Sequence, residues 1–282
     1  MPPLATLFDT WESPALPLPT WVLAHYGGPL GFPAPRNWPF VFSNFVTTLD
    51  GVVSYDIPGQ AQAGVISRSS DEDRFLLGLL RACADVVVVG AGTLRAEPEG
   101  QWTPDFAYPV GAKPFAALRK SMGKPPLPTA IFVSASGDLD LGAAAFRSNQ
   151  PILVLTTKKG AGRLGRAKKV PVQIMDADQP SGRDIVNAIA LNPDWRRILT
   201  EGGPTLLGHL LRDRVLDQMF QTLAPQIAGR SREHRRLALV EDVAFAPKEA
   251  PWSRLISLKR SRDDFLFLRY ALRPQESASS RS

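Results

Sequence analysis

The sequence predicts an α/β fold in which helices cover a mainly parallel sheet. Strand-like and helix-like segments alternate from residue 39 to residue 224, which is typical of such sheets. The run at residues 85–89 is all valine after its first residue, as expected for a strand buried on both faces. The closing strands have no helix between them, so we expect antiparallel pairing at one edge.

Along the chain, apolar runs predict the strands and periodic segments predict the helices. Residues 69–72, Ser-Ser-Asp-Glu, supply capping and acidic side chains for a helix that continues to Cys83. Pro204 suits the first position of a later helix. The predicted strands are 40–46, 85–89, 129–134, 152–156, 170–175, 197–200, 216–223 and 265–272, and the other predicted helices are 184–191 and 203–211.

The remaining segments predict irregular structure. Residues 1–37 are rich in proline and aromatic residues, so we expect an irregular N-terminal arm that packs on one compact domain at residues 38–273. Residues 98–128 predict a long loop with one short helix. The serine-rich tail at residues 274–282 predicts disorder.

Composition and charge predict a soluble cytoplasmic protein. Hydrophobic residues make up 44% of the 282 residues and charged residues 21%, which excludes wholesale disorder and coiled coil. No apolar run approaches the roughly 18 residues of a membrane span, and the N-terminus lacks the early cations of a secretory signal. The net charge of +6 gathers at residues 158–169 and 230–236 without interleaved aromatics, so we expect no nucleic-acid partner and no membrane contact.

Two further kinds of site are not predicted. His25, His209 and His234 are far apart, and the lone Cys83 lies on the apolar face of its helix, so we expect no metal site and a buried structural cysteine. Residues 160–165 read G-x-G-x-x-G after a strand. The next strand follows too soon for a Rossmann helix, so a glycine-rich turn into a short basic helix is favoured.

Two glycine-rich strand ends predict a ligand site. The segment G-A-G-T at residues 90–93 follows one buried strand, and E-G-G-P-T at residues 201–205 follows another and opens a helix. Ligands of open α/β sheets bind at the carboxyl ends of the strands, where glycine lets the backbone approach closely. Free N–H groups at a helix start favour an anion such as a pyrophosphate. Each segment alone could be a tight turn; two on one sheet favour a dinucleotide.

With the segment N-F-V-T-T-L-D-G at residues 44–51, these motifs resemble the riboflavin-biosynthesis pyrimidine reductases, the C-terminal reductase domain of the bifunctional deaminase–reductase RibD. The other matching segments are D-R-x-x-x-x-x-L-R-A-x-A-D-V-V-V-V-G-A-G-T-L-R-A from residue 73 and R-I-L-T-E-G-G-P-T-L-L from residue 197. The resemblance implies a dihydrofolate-reductase-like three-layer α/β/α sandwich with a mainly parallel mixed sheet. It implies a stand-alone reductase, because one cysteine cannot build the deaminase zinc site.

The resemblance implies NADPH as the cofactor. It places Thr47 near the nicotinamide, Thr93 and Glu97 after the cofactor strand, and Ser134 near the adenosine ribose. Candidate cations for the 2′-phosphate are Lys158, Lys159 and Arg163. The implied cofactor-binding residues are Thr47, Gly90, Gly92, Thr93, Glu97, Ser134, Gly202, Gly203, Pro204, Thr205 and Leu206.

The implied substrate is a phosphoribosylamino-pyrimidine, 5-amino-6-(5-phosphoribosylamino)uracil, reduced by hydride transfer to C1′ of the opened sugar imine. Asp50 and Glu201 are the candidate catalytic residues. Asn44, Thr48 and Arg81 are the candidate substrate-binding residues. Arg81 is either a phosphate ligand or a charge that complements its helix C-terminus.

The substrate half departs from the family pattern. The segment A-E-P-E-G at residues 96–100 replaces A-D-D-P or A-D-N-P, without the arginine that follows it there, and Asn44 stands where many bifunctional enzymes have lysine. A dihydrofolate-type or other pterin-like substrate is therefore the enzymatic alternative, and a non-catalytic nucleotide-binding module is a further one. Family members are commonly homodimers, and residues 216–223 with the closing strands are the candidate contact.

Overall fold

A computed structural model describes residues 1–34, 36–57, 62–165 and 170–272. Its strands are β1 (Ala5–Asp9), β2 (Phe40–Thr47), β3 (Val52–Ser54), β4 (Val86–Gly90), β5 (Thr129–Ser134), β6 (Ile152–Thr156), β7 (Val172–Ile174), β8 (Arg197–Thr200), β9 (Gln218–Leu223), β10 (Leu237–Ala238), β11 (Arg254–Arg260) and β12 (Leu266–Ala271). Its α-helices are α1 (Thr20–Tyr26), α2 (Gln62–Ser67), α3 (Asp71–Cys83), α4 (Ala91–Ala96), α5 (Pro104–Ala107), α6 (Ala112–Ser121), α7 (Ala144–Arg147), α8 (Lys158–Leu164), α9 (Gly182–Ala190) and α10 (Pro204–Arg212).

Ten strands form one mixed sheet in the order β1-β11-β12-β9-β2-β8-β4-β5-β6-β7. The seven strands from β9 to β7 run parallel, in register such that Phe42 of β2 lies opposite Leu199 of β8. Parallel strands are joined by crossover connections, usually helices, so the alternation of strand-like and helix-like segments in the sequence indicated this arrangement. The predicted mainly parallel mixed sheet is confirmed.

The other end of the sheet is antiparallel. β9, β12, β11 and β1 pair antiparallel in that order, which confirms the expected antiparallel edge. Residues 1–37 are not irregular as expected, because β1 pairs with β11 from Ala5↔Arg260 to Asp9↔Ser257 and α1 buries Val22 and Tyr26. β9 lies between β2 and β12, so residues 216–223 do not offer the free strand edge for a dimer contact.

Helices cover both faces of the sheet, as predicted for a three-layer sandwich. The core on one face gathers around α3, whose apolar side includes Phe75, Leu79 and the buried Cys83. The core on the other face gathers around α9 and α10. α3 begins where predicted: Ser70 caps it by accepting the N–H of Asp73, and three acidic residues occupy its first turn.

Residues 98–128 are largely helical, which corrects the long loop predicted there. α5, a 3₁₀ turn at Pro109–Gly111 and α6 follow one another, and α5 and α6 pack on α3. Phe115 lies so close to Gly78 of α3 that a Cβ at residue 78 would be 2.6 Å from its ring. The buried Arg119 donates to the carbonyls of Ala82 and Ala84 at the end of α3. The prolines that suggested a loop in this segment instead occupy the first turns of α5 and of the 3₁₀ turn, where a helix tolerates proline.

Three further expectations concern particular segments. The glycines at residues 160 and 162 lie inside α8, so a short basic helix forms, but it begins at Lys158 and replaces the glycine-rich turn predicted to precede it; a Rossmann loop is not formed. The tail at residues 274–282 lies outside the described residues. Within the described residues, no helix is both long and apolar enough to cross a membrane.

Candidate functional site

A cleft of ≈ 890 Å³ opens at the carboxyl ends of the parallel strands. Its floor is formed where β2, β4 and β8 end, and α3 and α4 line one side. The short β3–β10 ribbon and the start of α10 line the other side. This is the edge at which open α/β sheets bind ligands.

The two glycine-rich strand ends meet in this cleft, as the sequence predicted. A Cβ on Gly202 would lie 2.3 Å from Leu206 Cδ2 and 3.1 Å from the backbone nitrogen of Gly90. A Cβ on Gly203 would lie 3.3 Å from Thr93 Oγ1. The loops therefore approach at backbone distance, which only glycine permits at residue 202.

Most of the predicted cofactor residues line the cleft, but three do not. Thr47 is fully buried and accepts a hydrogen bond from Gln221 Nε2 at 2.9 Å. Ser134 is buried, and its carbonyl accepts the hydroxyl of Thr156. Gly202 does not line the cleft, but it lies beneath the lining and lets the two loops approach each other. The predicted residues that line the cleft are Gly90, Gly92, Thr93, Glu97, Gly203, Pro204, Thr205 and Leu206.

The chain's backbone fits a dinucleotide here. Gly203 is the N-cap of α10 and makes no side-chain cap, so the first N–H groups of this nine-residue helix face the cleft without a capping side chain. A Cβ on Gly92 would meet open space within 4 Å, which leaves the α4 backbone accessible to a ligand. A pyrophosphate between these segments would meet N–H groups and the positive end of the α10 dipole.

The candidate cations for a 2′-phosphate lie outside the cleft lining. Lys158 pairs with Asp176 at 3.0 Å and Arg163 with Asp138 at 3.1 Å, both in exposed positions. Arg95 of α4, in contrast, lines the cleft. Its guanidinium donates to the carbonyl of Asp138, the residue that pairs with Arg163, at 3.4 Å.

Glu201 and Arg81 form a buried bidentate ion pair in the cleft wall. Arg81 Nε and Nη2 donate to the two Glu201 carboxylate oxygens at 2.9 and 2.7 Å. Arg81 Nη1 donates to the carbonyls of Gln101 and Thr103. Both side chains are more than nine-tenths buried. This geometry commits the guanidinium to Glu201 and so argues against Arg81 as a phosphate ligand, and equally against a simple helix C-terminal charge.

Two more carboxyl groups border this ion pair. Burial raises the pKa of Glu97, although the Arg81 charge acts in the opposite direction. Burial raises the pKa of Asp73 from 3.8 to about 6, and the carboxylate of Glu201 acts in the same direction. Asp73 lines the cleft from the first turn of α3. A carboxyl group with such a pKa can hold a proton near neutral pH and release it.

Asp73 is the site residue that the sequence prediction missed. It begins the D-R segment that carried the family resemblance, but in the sequence it is one of three consecutive acidic residues in a helix first turn. Asp71 is exposed, whereas Asp73 is 7% exposed and faces the cleft. Only burial distinguishes them, and burial depends on the fold.

Asn44 lies in the floor of the cleft, as expected of a substrate-binding residue. Its Oδ1 is buried and has no hydrogen-bond partner among the described residues. A buried amide oxygen without a partner is costly, so a ligand N–H would satisfy it.

Thr48 and Asp50 hold the turn beside the cleft and do not line it. Thr48 is buried, donates to Asp50 Oδ1 at 2.6 Å and accepts the N–H of Val52. Asp50 also accepts the N–H groups of Ala228 and Gly229 at 3.0 and 2.7 Å. The Thr48 hydroxyl and these N–H groups lower the pKa of Asp50 to about 2. Such a carboxylate is a poor proton donor, so its catalytic role stays a prediction that this geometry does not favour.

A second cavity of ≈ 800 Å³ lies at the opposite, amino ends of the strands. Asp85, Lys124 and Arg197 are among its lining residues, and Lys124 pairs with Asp85. None of the predicted site residues lines it. No cluster of metal-ligating side chains occurs in the part of the chain that the structure describes.

Comparisons with known proteins agree with the fold. The sequence profile of the RibD C-terminal domain matches residues 39–250. The chain is 25% identical over 192 residues to 2,5-diamino-6-ribosylamino-4(3H)-pyrimidinone 5′-phosphate reductase of Archaeoglobus fulgidus, covering 68% of this chain and 82% of that protein. It is 24% identical over 201 residues to riboflavin biosynthesis protein RibD of Chlamydia pneumoniae, covering 69% of this chain but 48% of that protein, about half its length.

A pyrimidine reductase-like protein of Corynebacterium diphtheriae has a similar crystal structure. The TM-score is 0.64 at 23% identity, covering 84% of this chain and 93% of that chain, which shows a shared fold. The predicted dihydrofolate-reductase-like sandwich is thereby confirmed. Because the family profile spans most of the sheet and both glycine-rich loops, this chain belongs to the RibD C-terminal domain family.

Proposed function

We propose that this protein is an NADPH-dependent reductase of a phosphoribosylamino-pyrimidine in riboflavin biosynthesis. The observation that carries the proposal is the meeting of the two glycine-rich loops in a cleft that is also lined by Asp73, a buried carboxyl group with a raised pKa. The name of the Archaeoglobus relative, a ribosylamino-pyrimidinone phosphate reductase, supports this substrate class.

The reaction consumes one hydride and one proton. NADPH held by the two glycine-rich loops would supply the hydride; its addition to C1′ of the sugar imine would move the electron pair of the C=N bond to nitrogen. The nitrogen then takes a proton to give the ribitylamino product. Asp73 is the residue we assign to that proton, because its raised pKa keeps a proton available in the cleft.

The other residues orient the two ligands. The N–H groups at the start of α10 hold the cofactor pyrophosphate, and Asn44 Oδ1 accepts an N–H of the pyrimidine. Glu201 is fixed by Arg81 and forms a rigid wall beside Asp73 and Glu97. Orientation of two reactants supplies a large part of such a rate enhancement.

The direct test is NADPH oxidation with the deaminated phosphoribosylamino-pyrimidine, run beside dihydrofolate and with NADH as the alternative cofactor. Turnover of the pyrimidine with a preference for NADPH is the expected result. Turnover of dihydrofolate alone would assign the alternative pterin-like substrate. NADPH binding without any turnover would indicate a non-catalytic nucleotide-binding module.

We also propose a homodimer. β1 is an edge strand exposed along its length, and its Leu7 and Phe8 side chains are 56% and 41% exposed. Apolar side chains on a free edge favour pairing with another chain. Light scattering at the mass of two chains is the expected result, and a monomer at all concentrations would contradict the proposal.

A further inference from the structure

The substrate assigned above carries a phosphate, and the cleft offers few cations for it. Three arginines line the cleft: Arg81, Arg95 and Arg235. Arg81 is committed to Glu201. Arg95 donates to the loop that follows β5, on the side expected for the adenosine part of the cofactor. Arg235 is exposed at the mouth and forms no ion pair with any described residue.

The backbone around Arg235 is fixed by its neighbours. β10 pairs with β3 with Leu237 opposite Ser54. Arg236 donates to the carbonyl of Tyr55 at 3.0 Å, and its guanidinium lies 4.7 Å from the centre of that ring. Arg236 thus anchors the segment, while Arg235, the adjacent residue, lines the cleft.

Acidic side chains in this part of the cleft repel an anion, so an anion site here needs a cation directed at the anion. Asp56 and Glu241 also line this part of the cleft, and Glu241 Oε1 accepts the N–H of Ala238. Residues 230–236 hold four arginines against one acidic residue, Glu233, so this segment is positively charged. From the sequence alone, this basic run is either a solvated face or a source of positive potential that steers a phosphorylated small molecule.

We propose that Arg235 binds the phosphate group of the substrate at the mouth of the cleft, on the β3–β10 ribbon. This inference rests on the proposed function. It makes Arg235 a specificity residue that distinguishes a phosphorylated from a dephosphorylated ribosylamino-pyrimidine. A guanidinium suits this task because it donates two parallel hydrogen bonds to phosphate oxygens.

The test compares the wild-type protein with Arg235→Gln and Arg235→Lys, using the pyrimidine substrate with and without its phosphate. Arg235→Gln is expected to raise the KM of the phosphorylated substrate roughly 10- to 100-fold, the range for losing a hydrogen bond to a charged group. The kcat, the KM of the dephosphorylated substrate and the Kd of NADPH stay unchanged. Arg235→Lys recovers part of the loss. Arg232→Gln, in the same loop but outside the cleft lining, is the matched control and changes none of these.

An unchanged KM in Arg235→Gln would overturn the proposal. A weaker Kd for NADPH would also overturn it, because the bound phosphate would then be the cofactor's. If the wild-type protein reduces no pyrimidine, the proposed function fails. Calorimetric titration with ribose 5-phosphate then tests separately whether Arg235 binds a phosphate group. Binding by the wild type that is lost in Arg235→Gln would support the phosphate site, whereas equal binding by both, or none by the wild type, would overturn it.

Discussion

Replacing Asp73 by Asn should make the protein more stable and less active. In the folded protein, burial raises the pKa of Asp73 from 3.8 to about 6. Between these two pH values the folded state holds a proton that the unfolded state has released, so the free energy of unfolding falls as pH rises. Above pH 6 the full cost of the buried charge is present, about 3 kcal/mol for a shift of about two units.

Asparagine removes this cost and keeps the shape of the side chain. It also removes a favourable interaction with the α3 dipole, which is worth about 0.3–1 kcal/mol. The net gain expected at pH 8 is therefore about 2 kcal/mol, and it should vanish near pH 4. As proton donor, Asp73 makes the wild-type activity rise as pH falls through about 6, and its loss should lower kcat by roughly 10²–10⁴-fold.

Urea unfolding of both proteins at several pH values and the pH dependence of NADPH oxidation measure these effects. Asp71→Asn is the matched control, because Asp71 occupies the same helix turn, is exposed and pairs only weakly with Arg74 at 3.9 Å. It should lose a few tenths of a kcal/mol at most and keep its activity. Parallel pH–stability curves for the wild type and Asp73→Asn would refute the reasoning, as would full activity of Asp73→Asn.

Three other changes test the site. Glu201→Gln leaves the Arg81 guanidinium buried without its counter-charge and should cost about 3 kcal/mol in urea unfolding; an unchanged midpoint would show that the ion pair does not support the fold. Gly202→Ala should lose about 1–3 kcal/mol, because the new Cβ would meet Leu206 and the Gly90 backbone. Gly92→Ala meets open space and should keep or slightly raise stability, but weaken NADPH binding in calorimetry; equal NADPH affinity would remove α4 from the cofactor site. Saturating NADPH should raise the Tm of the wild type, and no shift in the folded protein would contradict the cofactor assignment.

Local sequence patterns predicted the central strands and helices of this protein. The valine run of β4, the cap of α3 and the diglycine before α10 are signals that lie within a few residues, so the sequence predicted these elements and the edge where their loops meet. β5 and β6 lie at the predicted residues, 129–134 and 152–156. The antiparallel edge followed from the absence of helices between the closing strands.

Only the tertiary structure decided which of several similar residues line the cleft. β1 is a strand because β11, some 250 residues away, offers an unpaired edge, and no local pattern reports that edge. Arg81 pairs with Glu201 across 120 residues, which argues against a role as phosphate ligand. Burial alone separates Asp73 from Asp71, and position at the cleft alone separates Arg235 from Arg232. Desolvation and long-range pairing act on the folded chain, so the sequence predicted the kinds of group in the cleft but not which of them line it.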